Sequence, residues 1–273
     1  MEIGAIKSRK ATIEFPQGAS DVLPTLPVRA LALGNSGSGK TNMIVTLITD
    51  CRFYRGRFER VYWLSPTAKI DDALDPLRDY VEEEMEQDQS TDPTFHDHLD
   101  VPFLTRVVDR ARRVMEYLKA QKPRPKKAFN TLIVLDDLAN VSEIAAQKLV
   151  SDLYIKGRHW GISTILSTQK LRLPLVTQAV RVNATGLFVV GKLRNQAVLW
   201  DGVIYEYSAL VSKERLMSMY RAATDKPFGF LYIRLNSQDP NHMFYSSFTG
   251  RFLVDDKDEA RGSEESQGPR PPP

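Results

Sequence analysis

Eight consecutive residues constrain this chain more than any others: Gly34, Asn35, Ser36, Gly37, Ser38, Gly39, Lys40 and Thr41. They satisfy the phosphate-loop pattern G-x-x-x-x-G-K-[ST] at every fixed position. The glycines let the backbone turn tightly, so that successive N–H groups converge on a phosphate chain. Lys40 brings a cation to the β and γ phosphates, and Thr41 offers a hydroxyl to Mg²⁺. The flanks agree with the motif. Residues 28–33 are nearly all aliphatic and read as a strand, and residues 41–49 read as a helix. A strand, a glycine loop and a helix N-terminus in that order make an anion site.

A second signature follows about a hundred residues later. Thr131-Leu-Ile-Val-Leu-Asp-Asp137 reads as a buried aliphatic strand with two carboxylates at its C-terminal end. In phosphate-loop hydrolases such a strand supplies an acid for Mg²⁺, here Asp136, and the next residue, Asp137, is placed to orient the attacking water. Asn140 and Glu143 offer a capping box for a helix running to about residue 155. The strand 162–169 ends in Thr168-Gln169. Lying beside the Asp136 strand, it would set the Gln169 amide near the γ phosphate. Arg158 precedes that strand and so belongs at its opposite end, either as a surface arginine or as a group reaching a neighbouring subunit's nucleotide.

The remaining elements alternate in the same way. Strands are expected at 11–15, 61–66, 186–191, 228–235 and 243–248, the last two as a hairpin. Helices are expected at 102–121, 173–185 and 210–223. Residues 71–100 are acidic and polar and read as a short helix followed by an exposed loop. Within that loop His96 and His98 lack any further ligand pattern and read as solvated. The linker 122–127 carries two prolines that end the preceding helix. The alternation predicts an α/β fold with a mostly parallel central sheet, flanked by helices and extended by a C-terminal β-hairpin. The expected division is an N-terminal strand and connection at 1–26, one domain at 27–254, and a disordered tail at 255–273 whose composition lacks the residues to fold.

Composition excludes several classes. Among 273 residues there is one cysteine, Cys51, so no disulfide framework or cysteine-based metal cluster is available. Cys51 is expected to be a buried thiol at the end of the first helix. No apolar run is long enough to span a bilayer, and the N-terminus lacks the apolar core of a signal peptide. Net charge is only +3, but basic residues gather at 106–113, 122–127 and 170–172, which allows a basic face on a nearly neutral protein.

Taken in order, Gly-Asn-Ser-Gly-Ser-Gly-Lys-Thr, Tyr-Trp-Leu-Ser-Pro, Leu-Ile-Val-Leu-Asp-Asp and Gly-Arg-His-Trp-Gly-Ile-Ser-Thr-Ile-Leu-Ser-Thr-Gln make a set that resembles the FtsK/HerA superfamily of DNA-pumping ATPases. The chain looks most like the poxvirus-type genome-packaging ATPases of large and mid-sized double-stranded DNA viruses and their satellites. The resemblance covers roughly residues 25–235. It implies a RecA/FtsK-like phosphate-loop NTPase fold, ATP and Mg²⁺ as cofactors, and ATP hydrolysis coupled to moving double-stranded DNA into a preformed capsid. It also implies a homo-oligomeric ring, pentameric or hexameric, with ATP between subunits. The implied partner is a protein of the capsid vertex or virion membrane, and the implied place is the virion or the host-cell assembly site. By the same resemblance Lys40 grips the phosphates, Thr41 and Asp136 hold Mg²⁺, Gln169 is the sensor glutamine and Arg158 the trans-acting arginine finger. Asp137 stands where many relatives carry a catalytic glutamate. This shorter side chain leaves the water-polarising group unassigned.

Lys170, Arg172, Lys192, Arg194 and the 122–127 linker are candidates for phosphate contacts to DNA. Other readings of the motifs are a phosphate-loop kinase acting on a small acceptor, a non-viral DNA-transfer motor, and an assembly protein that uses ATP as a clamp.

Overall fold

A computed structural model of the chain describes residues 20–121, 129–138, 143–172, 174–209 and 211–254. The expected strand at 11–15, the basic linker and the C-terminal tail lie outside them. The elements are β1 (Arg29–Gly34), α1 (Lys40–Thr49), β2 (Arg60–Leu64), α2 (Asp75–Glu84), β3 (Phe95–His96), α3 (Val101–Ala120), β4 (Thr131–Asp136), α4 (Ile144–Trp160), β5 (Ile162–Thr168), α5 (Gln178–Asn183), β6 (Gly186–Val190), α6 (Gln196–Leu199), α7 (Tyr205–Tyr207), α8 (Lys213–Ala223), β7 (Phe230–Ile233), β8 (Phe244–Ser246) and β9 (Gly250–Arg251).

The strands form one sheet in the order β3-β2-β4-β5-β1-β6-β7-β8-β9. The first six are parallel, and β7, β8 and β9 are antiparallel additions. Both faces are buried, and the period of two along each strand decides which residue faces which layer. In β1, Leu31 and Leu33 pack with α3, α4 and α8 residues such as Leu104, Val150 and Leu216. Ala30 and Ala32 face the other way, onto α1 and α2 residues such as Ile44, Leu47 and Leu77. β4 divides likewise, Ile133 and Leu135 on the first face and Leu132 and Val134 on the second.

The structure corrects four expectations. α4 runs to Trp160, so 156–160 is its last turn and not a connection. Gly157 lies inside the helix because a side chain there would meet the Ile162 carbonyl at 3.1 Å. The true stop is Gly161, at φ 71°, whose N–H bonds Gly157 O. Asn140 of the expected capping box lies outside the described residues, and Glu143 caps α4 without a side-chain bond. The expected helix 173–185 shrinks to α5, started by Thr177, whose hydroxyl accepts from Val180 N at 3.3 Å. Cys51 is exposed, because the chain turns outward after α1.

The acidic segment is more built than its composition suggests. Gln87 is buried, accepts from Val61 N at 2.8 Å, and donates to Val61 O at 3.1 Å and to Asp92 O at 2.9 Å. Its amide thus satisfies β2 where no strand lies, and β3 continues the edge by pairing with Trp63 and Leu64. Asp92 in turn joins Arg60 at 3.2 Å and Arg110 at 2.7 Å. α6, α7 and the π-turn between them were not legible as helix in the sequence.

Candidate nucleotide site

The phosphate loop leaves the end of β1 and enters α1 directly. Gly37 (φ 72°) and Gly39 (φ 96°) adopt the left-handed conformation that glycine takes without steric cost. Gly39 is the N-cap of α1 and makes no side-chain cap, so the first amides of α1 face outward unsatisfied by a cap. Lys40 is buried, and its Nζ donates to Gly34 O at 3.0 Å and Asn35 O at 2.9 Å. Burial lowers its pKa, while the charges of Asp136 and Asp137 act the other way. Asn35 anchors the loop through Nδ2, which donates to Lys192 O at 2.8 Å. Ser38 Oγ is buried without a protein partner. These features fit a phosphate chain: a concave backbone, a sequestered cation and helix amides at one spot.

Strand order brings the second signature to the loop. β5 lies between β1 and β4, in a register that pairs Leu33 with Thr168 and Asp136 with Ser167. The C-terminal ends of all three strands are therefore level. Asp136 is 5% exposed, and its Oδ2 accepts from Thr41 Oγ1 at 3.4 Å. Burial raises its pKa, with Lys40 among the groups opposing the shift. A hydroxyl and a carboxylate converging on a cleft are hard oxygen donors of the kind Mg²⁺ shares with phosphate and water. Asp137 leaves the strand at φ 52°, which turns its carboxylate outward. There Oδ1 accepts from Gln169 Nε2 at 3.1 Å. The cleft over the loop, about 440 Å³, is bordered by Gly37, Lys40, Thr41, Asp136 and Asp137.

Arg158 is elsewhere, in the last turn of α4, at the N-terminal end of β5. Seven strand residues at about 3.3 Å each put it roughly 20 Å from the loop. It is exposed, and its Nε donates to His159 Nε2 at 3.3 Å. Lys119 Nζ donates to His159 O at 3.3 Å, and the charge of Arg158 helps lower the pKa of Arg29 after burial does. Among the described residues no carboxylate is ion-paired with Arg158.

Other candidates sort differently. His96 Nε2 lies 2.9 Å from Pro93 O and its ring packs 4.1 Å from that of Phe103, while His98 Nδ1 lies 2.6 Å from Asp97. Among the described residues no group of three or more His, Cys, Asp or Glu is placed to hold a metal ion. Arg172 is paired with Asp201 at 2.9 Å. Lys192 and Arg194 border the phosphate loop itself. Phe228, Thr67 and Ile70 also border the cleft and were missed. Pro227-Phe228-Gly229 is a turn signal that the apolar run after it concealed.

A family model described as "Poxvirus A32 protein" matches residues 19–221, well over half of the chain. That span contains the loop, both aspartates, Arg158 and Gln169. The chain belongs to the Poxvirus A32 protein family. A relative from Invertebrate iridescent virus 6, "Uncharacterized protein 075L", is 23% identical over 154 residues, 55% of each chain. The chain thus spans about half the length of that curated relative. Among solved structures, EssC (ATPases 2 and 3) from Geobacillus thermodenitrificans is similar over 88% of this chain and 43% of that one, at 13% identity and TM-score 0.50. The pCW3 conjugation coupling protein TcpA, in its monomer form with ATPγS, is similar over 88% of this chain and 65% of that one, at 14% identity and TM-score 0.50. At these identities the likeness is one of fold. It places this member of the A32 family among phosphate-loop NTPase folds with a mostly parallel sheet. No helix among the described residues is long and apolar enough to cross a membrane.

Proposed function

We propose that this A32-family protein is an ATP-hydrolysing motor that moves double-stranded viral DNA into a preformed capsid. The observation that carries the reading is the convergence of Lys40, the Thr41–Asp136 pair and Asp137 on one cleft, with Gln169 bonded to Asp137 from the neighbouring groove, in a member of this family. Mg²⁺, when bound with ATP, neutralises phosphate charge at the Thr41 and Asp136 oxygens. Lys40 swings from the loop carbonyls to the phosphates and stabilises the charge that develops there. Asp137, held by the Gln169 amide, orients the water for in-line attack at the γ phosphorus and takes up its proton as the bond to the β-γ oxygen breaks. That bond to Gln169 also makes Asp137 sensitive to movement of β5.

Arg158 completes a different active site. It lies a strand length from its own loop and lacks a described carboxylate partner, which suits a cation presented to a neighbour's nucleotide in a ring. A motor must grip any sequence, so its DNA contacts go to phosphates. Lys192 and Arg194 border the nucleotide loop and Lys170 borders the groove of Asp137 and Gln169, so these cations would grip DNA phosphates close to the site of hydrolysis.

The test is steady-state ATP hydrolysis by the full chain with and without long double-stranded DNA, across protein concentrations. Stimulation by DNA and a faster-than-linear rise with protein are expected. Turnover linear in protein and indifferent to DNA would refute a shared-site motor and favour phosphate transfer to a small acceptor.

A further inference from the structure

Phe228 is an exposed aromatic held in an unfavourable backbone conformation directly over the phosphate loop. It is 68% exposed and sits at φ 60°. A bulky residue at positive φ is uncommon and persists only where its surroundings fix it. Here they do. Gly229 N bonds Lys226 O at 3.0 Å, Gly191 N bonds Gly229 O at 2.9 Å, and a side chain at Gly229 would fall 2.4 Å from Ala223 O. The turn is thus clamped to the ends of α8 and β6. The ring touches the loop, for a Cβ at Gly39 would lie 2.9 Å from Phe228 Cδ1.

The position of the ring decides its use. Phe228 borders the cleft that holds Thr41 and Asp136, and also a second groove of about 380 Å³ on the other side of the loop. That second groove runs between Asn35–Ser38 and the Gly191–Arg194 and Thr224–Phe228 turns. On the nucleotide reading, Thr41, Asp136 and Asp137 would hold the metal and γ-phosphate end in the first cleft. A nucleotide lying along the loop therefore extends its nucleoside away from them, across Phe228. Ile70, 78% exposed, borders only the first cleft.

We propose that the Phe228 ring is the stacking platform for the nucleotide's purine base, which lies in the groove between the phosphate loop and the 224–228 turn. This rests on the nucleotide reading of the site. Stacking uses the π-face that every base has, so the platform selects an aromatic base over none and discriminates weakly between adenine and guanine.

The experiment compares binding of ATP and of inorganic tripolyphosphate, with Mg²⁺, to the full-length wild type and to Phe228→Ala, Phe228→Trp and Ile70→Ala. Phe228→Ala is expected to weaken ATP binding about tenfold or more while leaving tripolyphosphate binding unchanged. Phe228→Trp is expected to restore ATP binding, its indole emission quenched by ATP and not by tripolyphosphate. Ile70→Ala, at the other wall of the first cleft, is expected to weaken ATP binding less than Phe228→Ala does. Equal weakening toward ATP and tripolyphosphate in Phe228→Ala would make the ring a support for the loop and overturn the proposal. So would unchanged ATP binding, or a greater loss of ATP binding in Ile70→Ala than in Phe228→Ala. A wild type that binds neither probe would overturn the nucleotide reading itself, and the platform with it.

Discussion

A buried carboxylate at the end of a strand is a liability that neighbouring hydroxyls and a nearby cation offset only in part. Asp136 is nearly inaccessible, and burial disfavours its charged form. Asp136→Asn keeps the shape and removes the charge. It is expected to stabilise the nucleotide-free protein by on the order of 1 kcal/mol while abolishing hydrolysis, a trade of stability against function. Thermal melts and turnover on the same sample check it, and a melting point that falls would contradict the account. His159 offers a pH test. Burial and then Arg158, Lys119 and Arg29 lower its pKa in the folded state. The unfolded chain therefore takes the proton first. Stability should be full above about pH 6.5, the ordinary histidine value, and decline as pH falls below it. His159→Gln is expected to flatten that part of the pH–stability curve; an unchanged slope would remove His159 as its source. The placement of Lys40 after the glycine loop and of Asp136, Asp137 and Gln169 at strand ends was legible, because motif and strand pattern specify it. Phe228 was not, because its value lies in a backbone angle and a neighbour distant in sequence.

The 71–100 segment is polar enough to pass for an exposed loop, yet one buried glutamine turns it into the finish of an edge strand. Gln87→Ala would leave Val61 N–H and C=O without partners in a dry place. It is expected to cost about 2–3 kcal/mol, read as a lower denaturant midpoint at unchanged slope. A loss under half that would mean water replaces the amide. α3 was legible to within a residue, since its apolar positions recur at helical spacing and Asp100 caps it by accepting from Phe103 N at 3.0 Å. α4 was misjudged by about a turn, because Gly157 reads as a terminator in the sequence and is a close-packing residue in the structure. α5 shows the opposite error: no periodicity distinguishes six helical residues from a longer helix that fails to pack.

For the whole molecule, the sheet separates two chemistries by the length of a strand. Phosphate loop, carboxylates and Gln169 share one edge, and the Arg29, Lys119, Arg158 and His159 cluster occupies the other. If that cluster serves a neighbour, Arg158→Ala should abolish hydrolysis by about 10³-fold or more with ATP binding retained. Mixing Arg158→Ala with Lys40→Ala chains should then recover activity, because each mixed interface can pair an intact loop with an intact arginine. Mixtures as inactive as their components would rule out a shared site.

The sequence by itself determined the α/β class, the parallel alternation and the residues of the phosphate loop, because these depend on local patterns: period two in strands, period 3.6 in helices, and glycine at turns. Only the tertiary structure decided which strands are neighbours, and with that everything that makes the residues a site. Inserting β5 between β1 and β4 brings Asp137 to Gln169 and Asp136 to Thr41. Folding the C-terminal antiparallel strands back beside β6 carries Phe228 to Gly39. Such contacts join residues 32, 95 and 189 positions apart, and no local pattern encodes a distance of that kind.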